Sequence, residues 1–233
     1  GSATRIAPIV SSGRAAKFIL QYWEKHFGRT AEMVVVEGPQ AGGHLGFAAD
    51  VLDTPQAPSL RSLVQEVLEV VRPLREKFGA DIPVVAAGGV YSGEDIADCL
   101  AAGASGVQMA IRFVATDECD ADPRFKEAYV AAREEDVVII NSPVGMPGRA
   151  INNPFIQSLT KSGRGIRRCF GCLQGCNPKV APYCISTALI NAVTGQVDDG
   201  LIFAGSNVHK VDRIVPVRQL MSDLMQELRL AAG

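Results

Sequence analysis

A histidine and two pairs of glycines are the first residues in this chain whose types and placement could do chemistry. His44 directly follows Gly42-Gly43, and Gly88-Gly89 closes the apolar run Ile82–Ala87. A glycine pair lets a backbone N–H come close to a phosphate, and a helix starting just beyond adds a favourable dipole. The plain alternative is a tight turn. A neutral imidazole at such a place could take up a proton or hold a hydrogen bond near physiological pH, or it could simply cap its own loop. His26, among charges, and His209, near the C-terminus, read as surface residues. Cys169, Cys172, Cys176 and Cys184 fall within 16 residues in the spacing C-x2-C-x3-C-x7-C, while Cys99 and Cys119 stand alone. Four thiolates suit zinc or an iron–sulfur cluster, provided that turns at Gly171 and Gly175 fold the chain back on itself. The alternative is a set of reduced cysteines packing a loop.

The elements that must position these residues follow from hydrophobic periodicity. Short apolar runs at Ile6–Val10, Met33–Val36, Ile82–Ala87 and Gly106–Ala110 read as buried strands. Between them, Ala15–His26, Leu60–Phe78 and Glu94–Ala102 have helical spacing, with Ser92 as a cap for the third. Continuous apolar strands alternating with helices imply a parallel sheet covered on both faces. Beyond Phe113 the rhythm breaks. A charged helix is expected over Asp122–Glu135, a strand over Val137–Ile140, and a turn-rich stretch over Ser142–Gly148. A helix over Ile185–Val193, an apolar run at Leu201–Ala204 and a closing helix over Val215–Ala231 complete the chain.

Bulk properties exclude several classes. The chain has 233 residues, 47% hydrophobic, with a formal net charge of -2, which suffices for a sizeable core. Near-neutral charge and 6% aromatic residues give no basis for nucleic-acid binding. No apolar run reaches the roughly 20 residues of a membrane span, and no secretion signal opens the chain. A cytoplasmic protein is therefore expected, and in that setting clustered cysteines suggest metal or redox work before disulfides. Gly1-Ser2 fits a remnant of cloning.

The motifs then become specific. Glu37-Gly38-Pro39-Gln40-Ala41-Gly42-Gly43-His44-Leu45-Gly46 resembles the E-G-x-x-A-G-G-H-x-G signature of nitronate monooxygenases and their relatives, the enoyl-ACP reductases II. Ile82–Val90 is similar to that family's I-P-V-x-A-A-G-G-I, Gly106–Phe113 to its G-V-Q-x-G-T-R-F, and Asn141–Ala150 continues the match in family order. The resemblance implies the C-terminal half, about four βα units, of a TIM-type (β/α)8 barrel, with FMN at the carboxyl ends of the strands. Residues 1–115 and 201–233 would form the half-barrel, and 116–200 an inserted lid region carrying the cysteines.

By resemblance, Gly42, Gly43, Ala87, Gly88, Gly89, Gln108, Met109 and Ala110 bind the cofactor and His44 is catalytic. One departure stands out: Ala110-Ile111 replaces the family's Gly-Thr, removing a hydroxyl that could reach the phosphate. The cysteine group lies outside the family signature. Its first part resembles the C-x2-C-x3-C of flavin-dependent dienoyl reductases, in which four cysteines hold a [4Fe-4S] cluster. Arg149 could bind an anionic substrate group or anchor its own loop.

Three functions compete. The first is oxidation of a small nitronate through FMN and oxygen. The second is reduction of an enoyl thioester with NAD(P)H as electron donor. The third is a non-catalytic metal-binding module that needs a partner. Four strands leave a (β/α)8 barrel open at two edges, so a missing half-barrel or a second copy is expected to close it.

Overall fold

The computed structural model describes residues 4–162, 165–166 and 168–233; Gly1-Ser2 lies outside them. In chain order the elements are β1 (Ile9–Val10), α1 (Gly13–Phe27), β2 (Val34–Glu37), β3 (Gly43–His44), α2 (Leu60–Phe78), β4 (Val84–Ala87), α3 (Gly93–Ala101) and β5 (Gly106–Gln108). There follow α4 (Ile111–Val114), α5 (Pro123–Ala131), β6 (Val137–Asn141), β7 (Pro147–Ile151), α6 (Pro154–Ser162), α7 (Ile185–Val193) and α8 (Val217–Ala232). They divide into two units, one of residues 1–40, 50–109 and 222–233, the other of 41–49 and 110–221.

The first unit contains the four expected strands, in the order β1-β2-β4-β5 and all parallel. Val34, Val36, Val84 and Ala86 are fully buried, as strands covered on both faces require. Helix α2 shows why the helical spacing forms a helix here: Leu63, Val64, Val67, Val71 and Leu74 fall on one face and are all buried. Each such side chain contributes roughly 1.5–3 kcal/mol by leaving water. Pro73 lies inside α2. Ser92 caps α3 as expected, within a full capping box with Asp95.

The second unit is built on a three-stranded antiparallel sheet, β3-β7-β6. Here the expected boundaries move. Residues 201–221 group with this unit rather than with the strands of the first. The physical cause is hydrogen bonding: Ile151 donates to the Ile202 carbonyl at 2.9 Å, Leu201 to Ala188 at 2.9 Å and Ala204 to Arg149 at 3.2 Å. The last two residues of the turn-rich stretch, Pro147 and Gly148, open a strand, because Pro147–Ile151 pairs along its whole length with β6. Leu201–Ala204 forms only a single bridge, Phe203 to Ala150.

Candidate functional site

His44 owes its position to a two-residue strand. Gly43 pairs with Arg149 and His44 with Gly148, antiparallel, and Leu45 donates to the Pro147 carbonyl at 2.9 Å. Gly43 has φ +77, a conformation that glycine adopts without steric cost. Gly42 is glycine for another reason. A Cβ there would lie 2.5 Å from the Ala204 carbonyl carbon and 2.5 Å from the Gly205 nitrogen. The loop is secured from below by Arg149, whose side chain is fully buried and whose Nη1 donates to the Ala41 carbonyl at 2.9 Å. Of the two roles open to Arg149, the structure gives it the anchoring one.

The His44 ring is held on two sides. Nε2 lies 2.7 Å from Ser142 Oγ, and the ring meets Phe203 edge-on at 5.0 Å. Burial lowers its pKa below the ordinary imidazole value, so the ring is neutral at physiological pH. Among the described residues Nδ1 has no hydrogen-bond partner. The arrangement is that of a neutral imidazole with one nitrogen fixed and the other able to exchange a proton.

The first unit carries the second candidate feature. Gly88 and Gly89, with φ +79 and +104, turn the backbone at the carboxyl end of β4. The end of β5 is alongside, since Ala87 is in register with Gln108. A Cβ on Gly89 would meet Gln40 Oε1 at 2.5 Å and Gln40 Cβ at 3.0 Å, and its φ of +104 resists any side chain. A cavity of about 340 Å³ in the same unit is lined by Gly88, Gln40, Thr54 and Ser59, among others. Two successive left-handed glycines beside an open cavity suit the close approach of a phosphate, so this turn fits the terminal group of FMN. The dipole of α3 does not assist. Its N-terminus is occupied by carboxylates: Asp95 accepts from Tyr91 and Ser92 N–H at 2.9 and 2.8 Å, and Glu227 accepts from Gly93 at 2.7 Å. Glu37, at the end of β2, has its carboxyl pushed up by burial.

Ala110 caps α4 without a side-chain hydrogen bond, and Ile111 is used in packing against the cluster around Tyr129 and Ile202. Isoleucine in place of threonine thus trades a phosphate-reaching hydroxyl for core contact. Ala87, Gly88, Gly89, Gln108 and Met109 lie in the first unit; Gly42, Gly43, His44 and Ala110 lie in the second.

The four clustered cysteines are not gathered as a metal site requires. Among the described residues no three His, Cys, Asp or Glu side chains converge on a point that could hold an ion. Local contacts engage the sulfurs instead. Gly171 N–H donates to Cys169 Sγ at 3.4 Å, and Ser186 Oγ–H to Cys172 Sγ at 3.1 Å. Cys184 begins α7; burial pushes its thiol up, but hydrogen bonds from Thr187 and Ser186 outweigh this and lower it. The expected turn at Gly171 is present, with φ +62, yet it does not bring the thiols together.

Sequence reasoning missed Ser142. Ser142 lay inside a quoted motif, and its position three residues before the turn glycine Gly145 gave no hint of His44, 98 residues away.

Half a parallel barrel followed by an antiparallel sheet bearing a fixed histidine defines an α/β protein of the flavin-barrel class. The model of the nitronate monooxygenase family matches residues 2–227, and the chain belongs to that family. A dehydrogenase of Rhodococcus jostii acting on (3aS,4S,5R,7aS)-5-hydroxy-7a-methyl-1-oxo-octahydro-1H-indene-4-carboxyl-CoA is 34% identical over 158 residues, 68% of this chain and 37% of that one. A probable nitronate monooxygenase of Staphylococcus saprophyticus is 34% identical over 132 residues, 56% of this chain and 34% of that one. Among solved structures, FabK from Thermotoga maritima superimposes with a TM-score of 0.70 at 28% identity, covering 97% of this chain and 61% of that one. Nitroalkane oxidase from Streptomyces ansochromogenes gives 0.68 at 26%, covering 98% and 58%. The chain thus spans about a third of these curated relatives and about three-fifths of the solved ones.

Proposed function

We propose that this chain serves an FMN-dependent oxidoreductase that oxidises small alkyl nitronates with oxygen, and that His44 is its base or hydrogen-bonding residue. The observation that carries the reading is the neutral imidazole fixed through Nε2, with Nδ1 unengaged among the described residues, in a chain of the nitronate monooxygenase family. When bound, FMN supplies the redox chemistry, taking electrons from the substrate and passing them to oxygen. The chain's own part is to hold and to move protons. Gly88 and Gly89, with Gln108 and Met109 from the neighbouring strand end, would hold the phosphate through backbone N–H groups. His44 Nδ1 would exchange a proton with the substrate or donate a hydrogen bond to its nitronate oxygens.

His44→Asn is expected to keep the fold and the flavin and to lower turnover on an alkyl nitronate by roughly 10²-fold or more, the usual scale for loss of a general acid–base. Gly89→Val is expected to release flavin, read from the visible absorbance of the purified protein. Unchanged turnover in the first, or full flavin occupancy in the second, would overturn the assignment of that residue.

A second reading is reduction of an enoyl thioester with NAD(P)H, favoured by the Rhodococcus dehydrogenase, whose name specifies a CoA-linked compound. Oxidation of NAD(P)H that depends on an enoyl thioester would select it. Further strands from another polypeptide segment or a second copy would complete the barrel in either case. Exposed apolar side chains of the first unit, Ile9 and Phe18 among them, support this.

A further inference from the structure

Ser142 reaches the His44 ring because one antiparallel sheet carries both. Ser142 directly follows β6, and its turn is closed by two backbone hydrogen bonds. Ser142 N–H donates to the Met146 carbonyl at 3.1 Å, and Gly145 N–H to the Ser142 carbonyl at 2.9 Å. Gly145, at φ +82, lets the chain turn back into β7. On its other side β7 pairs with β3, which bears His44. The sheet thus sets the serine hydroxyl 2.7 Å from His44 Nε2, in a residue only 7% exposed.

Which of the two atoms donates follows from counting protons. A serine hydroxyl has one proton to give and two lone pairs to receive, and a neutral imidazole has one N–H and one bare nitrogen. The other group on Ser142 Oγ is the Val144 N–H, at 3.4 Å, which can only donate. Among the described residues, His44 Nε2 is therefore the acceptor that the Ser142 proton can reach. If Nε2 carried the ring hydrogen, two donors would face the serine oxygen and the serine proton would be buried without a partner. A buried donor left unmatched costs more than a made hydrogen bond contributes. We infer that Ser142 is a positioning residue that donates to His44 Nε2, which puts the ring hydrogen on Nδ1 and makes His44 a hydrogen-bond donor to the anionic oxygens of a nitronate rather than the base for a neutral nitroalkane.

This deepens the nitronate reading and rests on it for the substrate, though not for the tautomer. An alkyl nitronate has already lost its Cα proton, so it needs no base. Its negative charge lies on the oxygens bound to nitrogen, where an N–H donor makes a charge-assisted hydrogen bond. A neutral nitroalkane keeps its Cα proton, and Nδ1 must be bare to remove it. Moving the ring hydrogen to Nε2 would break the bond from Ser142. Nδ1 has no partner among the described residues, so its hydrogen is available to a substrate oxygen. No proton is transferred in this role. Ser142 does not touch the substrate; it acts through His44.

The tautomer is read by nitrogen NMR of the 15N-labelled full chain at a pH where the ring is neutral, with the His44 signals identified by their loss in His44→Gln. The native ring is expected to carry hydrogen on Nδ1 and to have a bare Nε2. Hydrogen on Nε2 would overturn the proposal, and that measurement needs no variant to fold. Ser142→Ala removes the donor and is expected to move the tautomer ratio toward Nε2–H by roughly tenfold, the weight of one buried hydrogen-bond partner. In the same variant the kcat/KM for a preformed alkyl nitronate, relative to that for the neutral nitroalkane, should fall by a similar factor, because rings with a bare Nδ1 can act as bases. Ser142→Thr keeps the hydroxyl and should return both quantities toward their native values. A folded Ser142→Ala with tautomer and selectivity unchanged would overturn the role of Ser142. A native chain that carries hydrogen on Nδ1 yet turns over no nitronate would instead overturn the nitronate reading and leave the tautomer standing.

Discussion

Substituting alanine at Gly42 and at Gly43 in turn separates two reasons for which adjacent positions must be glycine. At Gly42 the added methyl would lie 2.5 Å from two backbone atoms of the Ala204–Gly205 peptide and 3.0 Å from Ala204 Cα. Ordinary contact begins near 3.4 Å, so the two backbones must separate by about 1 Å. Backbone cannot rotate aside as a side chain can. The Ala204 segment is itself tied to Arg149 by a 3.2 Å hydrogen bond, so the loop bearing His44 is what gives way. Overpacking of this kind costs about 1–3 kcal/mol. Straining the charged hydrogen bond from Arg149 to the Ala41 carbonyl would add about 1.5–3 kcal/mol. At Gly43 the nearest atom to an added methyl is the Phe203 ring at 3.9 Å, so there is room. Only the φ of +77 resists, at about 1–2 kcal/mol.

The assay is hydrogen exchange of the Leu45 amide, which donates to Pro147 at the end of the pairing and belongs to a residue only 1% exposed. Gly42→Ala should lower its protection by roughly 30-fold or more, and Gly43→Ala by about tenfold. If Gly42→Ala protects Leu45 as well as Gly43→Ala does, the tight packing of Gly42 on the Ala204–Gly205 peptide does not control this loop.

Cys169, Cys172, Cys176 and Cys184 should all react with a disulfide-exchange reagent in the folded protein without a chelator. Cys99, whose thiol is pushed up to about 11 by burial first and then by Asp95 and Asp98, should react only on unfolding. A chelator requirement for the clustered four would restore a metal site. Light scattering of the purified chain should give a mass above that of one copy, or demand a second polypeptide for solubility. A stable, folded monomer would show that the sheet edges need no covering.

The sequence by itself determined the four parallel strands and the glycine turn that closes β4. Strands buried on both faces must be continuously apolar, so Met33–Val36 and Ile82–Ala87 announced β2 and β4 to within two residues. Helix α2 was legible over its full length because one apolar face needs a period of 3.6. Gly88-Gly89 and His44 were visible because glycine pairs at strand ends are a local signal. What only the tertiary structure decided is long in range and weak in pattern. Strand β3 is two residues long and exists because β7 pairs with it across more than a hundred residues, so no periodicity could show it. Four cysteines at metal-like spacing stay apart because spacing along the chain does not fix where thiols point in a loop. Arg149 looked equally suited to substrate and to scaffold until its complete burial and its bond to Ala41 assigned it to the scaffold. Ser142 became meaningful only when folding brought its hydroxyl to the His44 ring, since a side chain's partners are a property of packing rather than of order along the chain.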